Sequence, residues 1–221
     1  MISRHPDVDL LVEYAAGSLS TAPCISITTH MQFCESCKNT AESLKDIGGH
    51  MLKTTEAAPV SERLLDEVLE TIELDETTTE QAPSAKELPT DELARDLPVF
   101  VQGLLPAKAL KWHFLSPSIK VAPISVGEET YELALHRIKA GGTVPEHDHH
   151  GSEITVVLKG SFSDEDGAYQ PGDFIVREKG DVHQPFAAQN EECICLSVLE
   201  APIKLKGFKK IFKPFIGFSP N

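Results

Sequence analysis

The chain has 221 residues, enough for one large domain or two small ones that each bury a modest core. Its formal net charge is −14. That excludes nucleic-acid binding through a broad basic surface, because phosphate recognition needs clustered Lys and Arg, and it suits a partner with a basic face.

The N-terminal stretch "MISRHPDVDLLVEYAAG" carries Asp7, Asp9 and Glu13 where the apolar run of a secretory signal would have to lie. No stretch reaches the ~18 apolar residues of a membrane helix, so a cytoplasmic location is expected. "PDVDLLVEYAAGSLS" predicts a first helix with Leu11, Tyr14, Ala15 and Leu19 on one stripe. "STAPCIS" reads as a loop that holds Cys24. "THMQFCESCKNTAESLKDI" predicts a second helix, and "PVSERLLDEVLETIEL" a third, with Ser61 as N-cap and Leu65, Val68, Leu69 and Ile72 at helical spacing.

Residues 76–98 are polar and acidic, with prolines and a Thr run, and read as a linker. From about residue 100 the pattern is that of short strands. "ETYELALHRIKAGG", "EITVVLKGSF", "GDFIVRE" and "ECICLSVLE" are rich in β-branched residues and punctuated by Gly and Pro, which predicts an all-β sandwich or barrel. Residues 201–221 form a basic tail with Phe208, Phe212, Phe215 and Phe218 interleaved. Such a tail could bind anionic lipid or nucleic acid, cover an apolar edge of the barrel, or dock on the protein's own acidic surface. The expected division is a helical domain over 1–75, a linker over 76–98, a β domain over 99–200 and the tail over 201–221.

Two ligand patterns stand out. His30, Cys34 and Cys37 follow His-x3-Cys-x2-Cys; on one helix they would share a face, and Zn²⁺ favours such nitrogen and sulfur donors. The five cysteines are an odd count, and a reducing compartment favours thiolate metal binding over disulfides. A closed zinc site needs a fourth ligand, for which His5, Cys24 and His50 are candidates. His50 would sit about four turns along the same helix and point too far away, while chemistry does not choose between His5 and Cys24. Cys24 could also act as a resolving thiol if the zinc thiolates were oxidised.

The second pattern is Gly141-x5-His147-x-His149-x3-Glu153-x6-Gly160, followed by Gly172-x7-Gly180-x2-His183. Alternate strand residues face the same side, so His147 and His149 point together, and Glu153 and His183 can join them from neighbouring strands. Three imidazoles and a carboxylate suit Zn, Fe(II), Mn or Ni. These segments resemble the two cupin motifs; Glu178 and Ala187 stand where cupins usually carry Pro and often Asn, which weakens the turn more than the ligand set. His150 should point outward. Cys193 and Cys195, two apart on a predicted strand, share a face and read as packing residues.

"RHPDVDLLVEYAAGSL" and "HMQFCESC" together resemble a zinc-binding anti-sigma domain. The resemblance implies a small helical bundle that clamps a sigma factor, with His5 as the fourth zinc ligand and the Leu65, Val68, Leu69 and Ile72 stripe as part of the grip. "GSEITVVLKGSFSDEDGAYQPGDF" resembles the cupin of the ChrR-type anti-sigma factors, which join the two domains in this order. The implied fold is a two-domain α+β chain: a small N-terminal zinc-stapled helical bundle and a C-terminal all-β cupin barrel. The implied function is non-enzymatic: sequestering a sigma factor of the extracytoplasmic-function type, without direct DNA contact or a membrane span. Release would follow oxidative signals such as singlet oxygen or organic hydroperoxide, sensed through the cupin, and zinc could occupy both sites. The alternatives are a metal-dependent cupin dioxygenase or isomerase with an interaction arm, and a binding adaptor for some other partner.

Overall fold

In the computed structural model, residues 2–61, 63–76, 92–201 and 204–205 are described. Asp7 starts helix α1 (Val8–Ala16) by accepting from the Leu10 N–H at 2.8 Å, and Gly17, at φ 71, ends it. Leu11 of the expected stripe is buried, while Tyr14, Ala15 and Leu19 are half-buried.

The stretch expected to be a loop around Cys24 is instead helix α2 (Thr21–His30). Pro23 falls in its first turn, where a missing N–H costs little. Seven of its ten residues are buried, including Ile25, Ile27, Thr29 and His30. The helix expected to run through "THMQFCESC" is broken: α2 ends at His30, Met31–Phe33 turn the chain, and Cys34 is the N-cap of α3 (Glu35–Thr54). Helix α4 (Leu64–Glu76) forms as expected, and Ser61 Oγ accepts from the Arg63 N–H at 3.2 Å beside its start.

The end of the expected linker is ordered. Helix α5 (Glu92–Arg95) precedes α6 (Val99–Leu104), and Ala94, Leu97 and Val101 are buried. The β half follows as β1 (His113–Ser116), β2 (Ile119–Ile124), β3 (Glu132–Ile138), β4 (His147–Asp148), β5 (Glu153–Lys159), β6 (Phe162–Asp164), β7 (Gly167–Tyr169), β8 (Phe174–Arg177), β9 (Val182–His183), β10 (Phe186–Ala187), β11 (Cys193–Leu199) and β12 (Lys204–Leu205). Six strands form an antiparallel sheet in the order β1-β2-β3-β11-β5-β8. Two smaller sheets, β10-β6-β7 and β12-β4-β9, complete the domain. The expected barrel is therefore an open set of three sheets, its smaller strands interrupted by residues such as Pro145 and Pro185 that cannot donate to a ladder. The start of the tail pairs with the cupin: Lys204 lies opposite Asp148 and Leu205 opposite His147. The four tail phenylalanines lie outside the described residues.

Period-two alternation gives the large sheet two apolar faces. Ile194, Leu196 and Val198 of β11, with Ile154 and Val156 of β5, join one core with Leu11, Ile25 and Ile27 of the N-terminal helices. Cys193 and Cys195, with Val157 of β5 and Ile138 of β3, belong to a second cluster on the opposite side. Burying an isoleucine is worth about 1.5–3 kcal/mol, so α2 draws its stability from the cupin sheet rather than from a bundle of its own. No single helix among the described residues is long and apolar enough to cross a membrane.

Candidate metal centres

The corner between α2 and α3 brings together His5, His30, Cys34 and Cys37, whose ligand atoms all lie within 4.8 Å of one another. His5 Nδ1 is 3.4 Å from both Cys34 Sγ and Cys37 Sγ. A zinc tetrahedron with ordinary bond lengths has nitrogen–sulfur edges of ~3.6 Å. His30 Nδ1 donates to the Gly172 carbonyl at 2.6 Å, which fixes its tautomer, and His30 Nε2 is buried with no protein partner. An orphaned lone pair beside two thiols fits a metal ion. Burial lowers the His30 pKa, which keeps the ring in the neutral form that a metal requires.

One cupin turn holds both the His30 imidazole and the backbone arm that carries His5. Asp173, fully buried, accepts from the Ser3 N–H at 2.7 Å, the Arg4 N–H at 3.0 Å and the Gln170 N–H at 2.9 Å. Phe174 N–H donates to the Arg4 carbonyl at 3.0 Å, so the N-terminal arm that carries His5 covers the open edge of β8. At Gly172 (φ 93) a Cβ would lie 2.7 Å from Phe33 Cβ, so only glycine lets the corner approach. Asp173→Ala strips the acceptor from three backbone donors and should destabilise the chain by about 3 kcal/mol, read by chemical denaturation. A loss below measurement error would mean that the arm does not bear on Asp173.

His147, His149, Glu153 and His183 form the second cluster, all four buried. Each imidazole donates through Nδ1: His147 to the Pro145 carbonyl at 2.9 Å, His149 to the Asp181 carbonyl at 2.9 Å, and His183 to Asp164 Oδ2 at 3.0 Å. Their Nε2 atoms are left to converge. His183 Nε2 and His147 Nε2 stand 3.0 Å apart, and His149 Nε2 is 2.7 Å from Glu153 Oε2. Two nitrogen lone pairs that close repel unless they share a cation, and ~3.0 Å is the right-angle edge for metal–nitrogen bonds of ~2.1 Å. Burial pushes the His147 pKa down to about 4, with Glu153 opposing. Burial alone would raise Glu153, but the His149 hydrogen bond and the His147 ring outweigh it and hold the carboxyl at about 2. The donor set is thus three imidazoles and a carboxylate, suited to a divalent transition metal.

Residues 102–201 match the family model described as ChrR Cupin-like domain. Over 215 residues the chain is 32% identical to Anti-sigma-E factor ChrR of Cereibacter sphaeroides, covering 97% of this chain and 98% of that protein. The chain belongs to the ChrR family. It also resembles the solved Rhodobacter sphaeroides SigE in complex with the anti-sigma ChrR, at TM-score 0.72 and 28% identity, over 90% of this chain and 99% of that one. A fainter likeness, at TM-score 0.41 and 18% identity, runs to an RmlC-like cupin protein of Ralstonia eutropha JMP134 over 45% of this chain and 69% of that one.

In this ChrR-family chain the other candidate ligands lie elsewhere. Cys24 is on α2 outside the cluster, its thiol 3.7 Å from the Leu19 carbonyl, and burial, followed by Glu128, raises its pKa. His50 is exposed near the end of α3, and His150 is exposed beside the second centre. Where cupins usually carry Pro, Glu178 keeps the turn another way: its N–H donates to Asp181 Oδ2 at 2.8 Å and its carbonyl accepts from the Asp181 N–H at 3.0 Å. Cys193 and Cys195 are buried with sulfurs 3.6 Å apart, and Cys195 lines the cavity beside the metal ligands. The Cys193 hydrogen bond and burial raise the Cys195 pKa well above normal, and a thiol kept protonated is a poor nucleophile.

The groups that orient the ligands carry no spacing signal. Asp164, in the acidic turn "SDEDG", accepts from His183, from Tyr169 Oη at 2.9 Å, from the Asp166 N–H at 3.0 Å and from Arg177 Nη2 at 2.6 Å. These bonds outweigh burial and hold its pKa down. Such partners tune metal affinity about 10–100-fold. Asp164→Asn should weaken metal binding at the cupin centre by about that factor in a chelator competition and leave the thiolate centre unchanged. Equal affinity in the variant would remove Asp164 from the design of the site. Strand β8 meets both centres, since Arg177 at one end holds Asp164 and the turn before Phe174 holds His30 and the backbone next to His5.

Proposed function

We propose that this protein is an anti-sigma factor that holds an extracytoplasmic-function-type sigma factor in the cytoplasm and releases it on oxidative signals such as singlet oxygen or organic hydroperoxide. The observation that carries the reading is near-full-length identity to an anti-sigma factor, together with both ligand clusters. The relation is to a regulator of transcription rather than to an enzyme.

His5, His30, Cys34 and Cys37 hold Zn²⁺ and so fix the corner between α2 and α3. Structural zinc supplies folding energy to small helical units. His147, His149, Glu153 and His183 hold Zn²⁺ or another divalent metal (Fe, Mn or Ni). The sigma factor is gripped through Leu65, Val68, Leu69 and Ile72 of α4, which are exposed and have no core to enter. A run of unpartnered leucine and isoleucine on one helix face suits a groove or helix face on a protein partner. The acidic residues 76–98 connect this grip to the cupin.

The test is affinity purification of the tagged full chain from unstressed cells, with bound proteins identified by mass spectrometry. A stoichiometric sigma factor is expected, and it should be lost after treatment with an organic hydroperoxide. Recovery without any sigma factor would overturn the reading.

A further inference from the structure

Beside the second metal cluster lies a cavity of about 410 Å³ that is not fully enclosed. The ligands His147, Glu153 and His183 are part of its buried lining. Leu115, Pro117, Val144 and Pro145 line it as well, yet none of them is buried, so they belong to its rim. The rim has two banks, the hairpin between β1 and β2 and the segment before β4. Hydroxyls stand among the apolar groups, on Ser116, Ser118 and Thr143. A rim that mixes apolar bodies with short hydroxyls suits a peptide segment, whose backbone needs hydrogen-bond partners wherever it is covered.

Strand pairing aims the C-terminal tail at this mouth. β12 runs antiparallel to β4, with Lys204 opposite Asp148 and Leu205 opposite His147, so each later residue of the tail meets an earlier one of the other strand. Residues 206–221 lie outside the described residues. The same register, carried three places on, sets Lys206 opposite Glu146, Gly207 opposite Pro145 and Phe208 opposite Val144. Three strand steps of ~3.3 Å cover about 10 Å. Pro145 has no N–H to give, so the ladder lapses at Gly207 and the chain can turn off the edge there. Charge follows the register. Asp148 Oδ1 is buried with no hydrogen-bond partner among the described residues, and Glu146 is exposed. The tail brings Lys204 and Lys206 to those two positions.

We propose that the tail beyond Leu205 is the cover of this cavity: residues 206–208 continue beside 144–146, and the Phe208 ring closes the mouth between Val144 and Leu115. Both of those side chains are only partly buried against the core on this side of the large sheet, which leaves them an apolar face to give. A phenylalanine ring brings about 150–250 Å² of surface to such a contact. The inference goes beyond the sigma-factor reading and does not depend on it. It gives the basic tail a place on its own chain and makes access to the four buried ligands depend on the tail moving aside.

The test uses the full chain alone, with protonated phenylalanine and with methyl-labelled valine and leucine in a deuterated background. Nuclear Overhauser contacts are expected from the Phe208 ring to the methyl groups of Val144 and Leu115, and they should be missing from Phe208→Ser. In the zinc-loaded chain, a chelator should strip the second cluster about tenfold faster once Phe208→Ser has removed the cover, and the thiolate centre at an unchanged rate. Lys206→Glu should speed that release by about twofold to fivefold, and adding Glu146→Lys should reverse the gain. Absence of contacts from Phe208 to Val144 and Leu115 in the unaltered chain would overturn the proposal. Contacts found only between differently labelled chains would give the mouth to the tail of a second copy. Phe208 signals that shift only on addition of phosphatidylglycerol vesicles would give the tail to an anionic membrane surface. Either result overturns the proposal as well. Contacts in place with an unchanged release rate in Phe208→Ser would overturn the role of the tail as a cover.

Discussion

Leu65→Asp combined with Leu69→Asp should abolish capture of the sigma factor while leaving the rest of the protein intact. Leu65 is 66% exposed and Leu69 49% exposed, so neither supports the core of the free chain. Two apolar anchors worth about 2 kcal/mol each at the centre of an interface predict a loss of roughly 1,000-fold in affinity. A carboxylate left facing an apolar groove adds a desolvation cost. The measurement is a binding titration with purified sigma factor, next to circular dichroism and metal content as controls. If the double variant binds as tightly as the unaltered chain with both controls unchanged, α4 is not the grip and the apolar residues at the end of α3, Ile47, Met51 and Leu52, become the next surface to alter.

If the proposed zinc occupies this centre, Cys37→Ser should remove one equivalent of it and loosen the corner between α2 and α3, with loss of sigma binding as the consequence. A hydroxyl is a poor substitute for a thiolate at a zinc centre, and structural sites of this kind contribute ~10–16 kcal/mol of apparent binding energy near neutral pH. The same site carries a pH signature. Burial and the neighbouring Cys34 thiol push the metal-free Cys37 pKa up to about 12. The thiol is therefore protonated across the physiological range, and an incoming zinc ion must displace that proton. Affinity should fall as pH falls, by roughly tenfold per unit for this proton alone. Zinc competition with a chelator between pH 6 and pH 8, scales chosen as roughly physiological, reads the slope. A pH-independent affinity would mean that Cys37 does not bind as a thiolate. A variant that keeps its zinc and its sigma factor would show that the ion does not staple the corner.

How much was legible depended on whether the cause of a feature is local. The period of two that aims His147 and His149 to one side is a property of any strand, and both residues are buried in the cluster. The α4 stripe follows from helical spacing in the same way, and its helix forms. The corner at His30 was not legible. A spacing of His-x3-Cys suits one continuous helix as well as a helix end followed by a new N-cap. Met31, Gln32 and Phe33 have no strong breaker among them, and the turn is set by packing on the cupin instead. The stretch "STAPCIS" reads as a loop, yet a proline in the first turn of a helix is tolerated, and α2 is the most buried of the N-terminal helices. Asp164 and Asp173 act through residues far away in sequence, so no spacing announces them. The run "CICLSVL" is apolar on both faces, as expected of a strand covered on both sides, and only the fold reveals that the second cover is α2.

The anchoring of the thiolate centre on Gly172 and Asp173 also bears on how the protein is made. His30 meets the Gly172 carbonyl 142 positions downstream, and Ser3 meets Asp173 170 positions downstream. Chains leave the ribosome from the N-terminus at ~5–20 residues per second, so roughly 7–28 seconds separate the synthesis of His30 from that of its carbonyl acceptor. Throughout that interval His5 hangs on an arm with no β8 edge to pair with, and the hydrogen bond that selects the tautomer of His30 does not exist. The finished centre thus depends on the cupin turn: a ribosome that stalls before residue 172 leaves an N-terminal segment that has the four ligands but neither the carbonyl that aims His30 nor the edge that holds the His5 arm.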